Sequence, residues 1–389
     1  MSTVTEVFIT GTGHTAVGEH WGTSLRHLAW EAIEPALQAA RVEKPDAIFV
    51  GNMLAARISQ QQNLGALLAD FCGLRGTEAV TVEAAGASGG AAMRQALLAL
   101  RSGEISTALV VGVEKMTDKV GADVTAAVAA GADSDWELAQ GATAPAIAAL
   151  IMRRYMHEHG VHLQQFAGFP VNAHANARTN ADAMFRHVLD ESRYAQAAMI
   201  ASPVNMFDGA PDADGAAALV LATGAGELQP GLSVRVAASS LATDALAVHD
   251  RRDMLSFAAA KLSADRGLQQ AGLAHDQIDV AELYDRFSVY AALSLEACGI
   301  ARRGEGWQLA RNGAIGRAGR IPISTFGGLK ARGNPGGATG VYQLVEVARQ
   351  LAGMAGENQV AGAKWGLTQC LGSSGGTAVT HILQGIASS

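Results

Sequence analysis

The stretch Val80–Gly103, VTVEAAGASGGAAMRQALLALRSG, decides the fold, because Ile323–Gly353, ISTFGGLKARGNPGGATGVYQLVEVARQLAG, repeats its plan. Each runs from a short β-like segment through a glycine-containing turn into an amphipathic helix. Working outward, a second pair rhymes: KPDAIFVGNM (44–53) and HDQIDVAELYD (275–285). Each lies downstream of a segment with helical spacing, Ser24–Ala40 in one case and Phe257–Ala271 in the other, and each contributes a strand, Ala47–Val50 and Ile278–Leu283. A third pair, TALVVGVEK (107–115) and WGLTQCLGSSGGTAVTHIL (365–383), closes the set. Strands alternating with helices read as α/β. The spacing of the rhymes implies one α/β unit used twice, with the switch near Leu228–Leu232 and the two halves packed face to face around a shared helix layer. The loops after the strands then meet in one crevice, where ligands of α/β proteins bind. Asp118–Pro203 has no counterpart in the second half; it is rich in Ala, Met and His and carries helical pieces such as Ala144–His157. An insertion of this length shapes a substrate site or supports a dimer.

Composition sets the outer limits. With 49% apolar and 17% charged residues in 389, the chain buries a large core. A net charge of -7, with no run of Lys or Arg longer than two, argues against nucleic-acid partners. No apolar stretch reaches the roughly 18 residues of a bilayer span, and the opening MSTVTEVFITGTG lacks the basic start of a secretory signal. Cys72, Cys298 and Cys370 form no CxxC pair, which points to a reducing cytoplasmic setting and to no cysteine-based metal site.

Five short strings, four of them containing glycine, then stand in a meaningful order: VEAAGASGGAA (82–92), DADGAAALVL (212–221), ELYDRF (282–287), GGLKARGNPGGATG (327–340) and QCLGSSGGTA (369–378). In this order and over the whole chain they resemble the thiolase superfamily, in its sterol carrier protein-x-type and archaeal branch. The resemblance implies a thiolase fold, a duplicated five-layer αβαβα core with an inserted loop domain. The first half would occupy 1–117 and 204–230, the insertion 118–203, and the second half 231–389. It also implies an acyl-CoA substrate and a homodimer; coenzyme A enters as part of the substrate, with no separate cofactor and no metal.

The departures from the family's pattern carry the functional reading. Gly86 stands where a thiolase has its nucleophilic cysteine, and a glycine cannot be acylated. Asn334 replaces the catalytic histidine of the glycine–histidine–proline loop and cannot shuttle protons. Tyr284 replaces the histidine of the third motif, with Arg286 two positions on. Cys370 sits where many thiolases keep a second, acid/base cysteine. Plainer roles fit the same residues: Asn334–Pro335 as an N-cap and first-turn pair, Gly86 as a tight turn, Tyr284 and Tyr342 as core residues, Cys370 as a small buried side chain, Asp285 as a loop anchor. Tyr342 follows the GNP loop by eight positions.

Without the nucleophile a β-keto thioester is not cleaved by acyl transfer, but a β-hydroxy thioester still breaks by a retro-aldol step. Tyr284 and Tyr342, with their hydroxyls brought below the usual tyrosine range of about 10, would move the protons. Backbone N–H groups at Gly86 and Gly372, with the Asn334 amide, would hold the enolate, and Ser256 and His174 complete the implied coenzyme A contacts. Cysteine-lacking thiolase-like aldolases of steroid side-chain degradation have these features and act with an OB-fold, zinc-ribbon partner in a heterotetramer, so the resemblance implies such a partner here. Two other readings stand beside it: an acyltransferase using Cys370, and a non-catalytic acyl-CoA- or lipid-binding subunit.

Overall fold

The computed structural model describes residues 5–224 and 232–386. Most of the expected switch segment, Leu228–Leu232, lies outside these residues. The first half runs β1 (Val7–His14), α1 (Leu25–Ala40), β2 (Ala47–Gly51), α2 (Leu64–Phe71), β3 (Glu78–Val82), α3 (Ser88–Ser102) and β4 (Thr107–Glu114). Helices α4 (Ala122–Ala129), α5 (Ala144–His159), α6 (Gly168–Ala177) and α7 (Glu191–Ala195) and the short pair β5 (Met199–Ala201) and β6 (Val204–Asn205) precede β7 (Gly215–Thr223). The second half runs β8 (Val234–Thr243), α8 (Ala258–Ala271), β9 (Val280–Leu283), α9 (Ser288–Ala297), α10 (Gly306–Arg311), α11 (Thr339–Leu351), β10 (Trp365–Gly372) and β11 (Thr377–Gly385). No helix is long and apolar enough to cross a membrane among the described residues.

The duplication is written in the strand order β3-β2-β4-β7-β1-β8-β11-β10-β9. Read outward from the middle, β1-β7-β4-β2 matches β8-β11-β10-β9. The pairing senses match as well: β2 and β4 are parallel, like β9 and β10, while β1–β7 and β7–β4 are antiparallel, like β8–β11 and β11–β10; the outer strand β3 adds to β2 in parallel. The place of β3 is taken in the second half by Ile323, which bridges Ala281 in parallel. One detail differs from the expectation of two separate sheets. The half-sheets join edge to edge where Phe8 and Ile9 of β1 pair with Arg235 and Val234 of β8, so the strands form one nine-stranded sheet. The join is short, and the halves still fold back on each other around a layer of two helices.

Burial follows strand alternation. On β4, Leu109, Val111 and Val113 face α1 and α2 on the outside, while Ala108 and Val110 face α3 and α11 on the inside. Helix α1 starts where Ser24 accepts the His27 N–H and stops at Arg41 in a left-handed cap. Helices α3 and α11 form the central layer, and their contact tolerates no side chain at several positions. A Cβ at Gly89 would meet Gly337 O and Val341 N, both at 2.9 Å, and one at Gly340 would meet the Gly90 amide nitrogen and Cys370 Sγ. Ordinarily a helical Gly→Ala change stabilises a helix by about 1 kcal/mol. Here Gly340→Ala is expected to cost roughly 1–3 kcal/mol, because the methyl group has to displace backbone. The midpoint of urea unfolding measures it; a gain in stability would show that the two helices do not touch this closely.

Candidate functional site

The turn from β3 into α3 is held in an uncommon shape. Ala85 has φ of 51°, a left-handed conformation that a non-glycine residue keeps only when its surroundings enforce it. Ser88 enforces it: its Oγ accepts the Ala84 N–H at 2.9 Å and donates to Ala85 O at 2.6 Å. Gly86 therefore sits at the mouth of α3, where backbone N–H groups favour a negatively charged atom.

What faces Gly86 is Tyr284, at the end of β9. A Cβ at Gly86 would run into the Tyr284 hydroxyl and would meet Leu371 O at 2.7 Å and Tyr284 Cζ at 2.8 Å. The phenol occupies the space that a nucleophile at position 86 would need. Gly86 and Tyr284 line a narrow cleft of about 20 Å³, together with Arg286, Phe287, Tyr290 and Ser374. Its far wall comes from the inserted segment through Val128, Ala132, Ala142 and Ile147.

The charges around the cleft are arranged in a chain. Arg286 Nη2 donates to Asp212 Oδ1 at 3.1 Å, and Asn334 Nδ2 donates to the same oxygen at 3.0 Å. The Thr339 hydroxyl donates to Asn334 Oδ1 at 3.3 Å. Burial pushes the Tyr284 hydroxyl above the usual tyrosine range, and the neighbouring Arg286 cation offsets this only in part. This reverses the expectation of a lowered tyrosine: the resting phenol holds its proton. Burial works against the Arg286 charge, but the Asp212 carboxylate beside it outweighs that cost and the guanidinium stays charged.

The other expected site residues divide. Gly372 comes against the same turn, where a Cβ would meet Ala84 O at 2.6 Å. Asn334 is fully buried; its amide N–H donates to Asp212 and its side-chain carbonyl accepts from Thr339, so it positions the charge chain and does not itself line the cleft. Nor does it cap α11; its backbone pairs with Pro211 and Ala213, and a short 3₁₀ turn, Gly336–Ala338, intervenes. Tyr342 does not share the cleft. Its hydroxyl donates to Thr15 O at 3.0 Å and meets Thr15 Oγ1 at 3.1 Å, while Arg332 lies over its ring at 4.8 Å. The second tyrosine of the cleft is instead Tyr290, whose hydroxyl donates to Ser374 Oγ at 3.0 Å and is pushed up to about 12 by burial. It stands six residues after Tyr284, and only the turn of Phe287 into α9 brings it back to the same wall.

Cys370 lies behind the cleft, wedged against Gly90 and Gly340, and is 2% exposed. Burial pushes its thiol up to about 12. Ser256 spends its hydroxyl on Asp253 O at 3.0 Å. His174 belongs to a separate apolar cavity of about 530 Å³, where it stacks on Phe185 and donates through Nδ1 to His187 O at 3.1 Å. Asp285 holds the loop before α11 by accepting from Leu329 N at 2.8 Å and Ser324 Oγ at 3.0 Å.

Two outcomes follow for the missing nucleophile. Gly86→Cys is expected to give no thiolysis and no acyl adduct, since the new side chain collides with Tyr284 and Leu371 O; intact mass after incubation with acetoacetyl-CoA reads this directly. Cys370 is expected to resist iodoacetamide at pH 8 until the protein is unfolded, because the thiolate is the reactive form. Rapid native-state labelling of Cys370 would contradict the buried placement.

Comparison with known proteins agrees with this architecture. Residues 7–190 match the family described as Thiolase, N-terminal domain, and residues 240–385 match Thiolase C-terminal domain-like. The chain is 40% identical to an acetyl-CoA acetyltransferase of Methanothermobacter thermautotrophicus over 97% of its length and 99% of that relative. It is 28% identical to sterol carrier protein 2 of Homo sapiens, over 99% of this chain and 73% of the human protein. Among solved structures, the Ltp2-ChsH2(DUF35) aldolase superposes with a TM-score of 0.83 at 23% identity, covering 98% of both chains. The Acat5 thiolase of Ascaris suum in complex with coenzyme A superposes with a TM-score of 0.73 at 16% identity, covering 98% of this chain and all of that one. The duplicated sheet, the glycine-lined central helices and the match along both halves make this chain a member of the thiolase family.

Proposed function

We propose that this protein is a carbon–carbon lyase that cleaves a β-hydroxyacyl-CoA by retro-aldol chemistry. The observation that carries the reading is the Tyr284 hydroxyl standing in the space a nucleophile would need above Gly86. An acyl group has no atom to bind there, whereas a proton carrier is already in place. The step balances without a covalent intermediate. The proton of the β-hydroxyl passes to Tyr284 Oη, the bond between the α and β carbons breaks, and the β carbon becomes a ketone or aldehyde. The electron pair forms the enolate of a shorter acyl-CoA, and the α carbon takes up a proton. A phenol that keeps its own proton at rest is suited to give that proton while receiving another, so no free tyrosinate has to form.

The bulk of the substrate is part of the same proposal. The cleft wall from the inserted segment is built of small and aliphatic side chains, Ala132, Ala142 and Ile147 among them, which suits an apolar acyl group such as a steroid or other polycyclic side chain. A small OB-fold, zinc-ribbon partner is proposed by analogy with the DUF35 component of the aldolase relative. A homodimer through β3 is proposed because this edge strand is exposed along Glu78–Val82.

The likeness to an acetyl-CoA acetyltransferase favours a second reading, acyl transfer by Cys370. Its buried sulfur and raised thiol argue against it. Turnover separates the two. On a β-hydroxyacyl-CoA, Tyr284→Phe is expected to lower kcat by about 10²–10⁴-fold with the fold intact. Tyr342→Phe is expected to keep kcat near wild type and to lose about 1 kcal/mol of stability with its Thr15 hydrogen bonds. Cys370→Ala is expected to stay active. An active Tyr284→Phe beside a dead Cys370→Ala would install the transferase in place of the lyase.

A further inference from the structure

Retro-aldol cleavage leaves one charge to be housed. The electron pair of the broken bond flows to the thioester oxygen, and in a narrow, largely buried cleft a dipole or cation has to meet it there. The polar side chains nearest the cleft are mostly committed elsewhere. The Asn334 amide donates to Asp212, and the Tyr290 hydroxyl donates to Ser374 Oγ. Arg286 is different. Its side chain lines the cleft beside Tyr284 and is only 13% exposed. Asp212 holds Nη2, while Nε is buried and has no partner among the described residues. A buried guanidinium N–H without an acceptor is costly, and such a group in a cleft wall is what an incoming oxygen would satisfy.

The support behind Arg286 is built for aim. Asp212 is bridged to Asn334 along the backbone and bonded to its side chain, and Asn334 is bonded in turn to Thr339 at the start of α11. The guanidinium is thus tied to the same helix that sets the central layer. The ionisable groups that bear on Tyr284 are Arg286, Asp212 and Cys370, with Tyr290 beyond them and Arg251 acting on Tyr290. Arg286 is the cation nearest the proton carrier.

We propose that Arg286 is a catalytic residue: its guanidinium, aimed by Asp212 and Asn334, binds the thioester oxygen and carries the enolate charge while Tyr284 moves the protons. The proposal rests on the lyase reading for the bond that breaks, but not for the enolate, which any proton exchange at the α carbon also forms. This separates the two tests. Wild type, Arg286→Gln, Arg286→Lys and Asp212→Asn are incubated with acetyl-CoA and propionyl-CoA in D₂O, and α-proton exchange is followed by NMR. Cleavage of a β-hydroxyacyl-CoA is followed in parallel, with melting curves to confirm folding.

Arg286→Gln is expected to slow both exchange and cleavage by about 10²–10³-fold, the size of losing one oxyanion donor, with KM moving far less than kcat. Arg286→Lys keeps the charge but not the fork and is expected to recover roughly tenfold over the glutamine variant. Asp212→Asn, which leaves the cation but loosens its aim, is expected to fall between wild type and Arg286→Gln. Wild-type exchange rates in Arg286→Gln would overturn the proposal, and so would a wild-type protein that exchanges no α protons. Exchange by the wild type without cleavage of any β-hydroxy thioester would defeat the lyase reading and leave Arg286 in its role.

Discussion

The rest of the molecule depends on how closely α3 and α11 approach each other. Helix packing distances are set by the side chains at the contact, and here the contact is Gly89 and Gly90 against Gly337 and Gly340. Only glycine lets backbone approach backbone in this way. The two helices carry opposite halves of the duplicated chain, so their contact fixes how one half-sheet sits over the other. Cys370 fills the one remaining gap, between Gly90 and Gly340, which is a packing role for a thiol that burial keeps protonated. Glu114 ties the loops across the same junction, accepting from Met53 N and Gly337 N at 2.9 Å and from Leu54 N at 3.1 Å. Burial pushes its carboxyl up to about 7 in spite of those donors.

The site is a consequence of that geometry. The mouth of α3 and the end of β9 are brought so near that only one of them can present a side chain. In this chain the glycine stands in the turn before α3 and the tyrosine just after β9. Position 86 and position 284 are one choice made twice, and a nucleophile cannot be restored at the first without shrinking the second. The same close quarters explain why the phenol is hard to ionise. Burial disfavours the charged form, and the single adjacent cation, Arg286, is itself shared with Asp212. For the proposed cleavage this means a relay of protons through a neutral phenol, with negative charge met by fixed donors.

Much of the fold was legible in the residues. Helix periodicity placed α1, α5 and α8 to within a residue or two, because amphipathic spacing is a local property. The rhyming pairs named the equivalent elements, which the strand order then reproduces. The short edge-to-edge join of β1 and β8 was not legible, since a pairing of two residues leaves no pattern in the sequence. The site was legible in part. Gly86, Tyr284 and Gly372 meet as their motifs suggested. Tyr342 was misplaced because position along a helix does not say which face a residue takes, and in α11 that face belongs to Thr15 and Arg332. His174 and Ser256, far from the motifs, turned to a separate cavity and to a local turn.

The sequence by itself determined the duplicated α/β plan, the five motif strings and the absence of a side chain at position 86, since composition and spacing are carried residue by residue. Only the tertiary structure decided which groups share the cleft. Asp212, Arg286 and Asn334 come from three separate strings and meet around one carboxylate oxygen, while Tyr290 joins Tyr284 through the turn into α9. Charges and hydroxyls act through distances of a few ångströms, and those distances are set by packing between segments far apart in the chain, 122 residues in the case of Asp212 and Asn334.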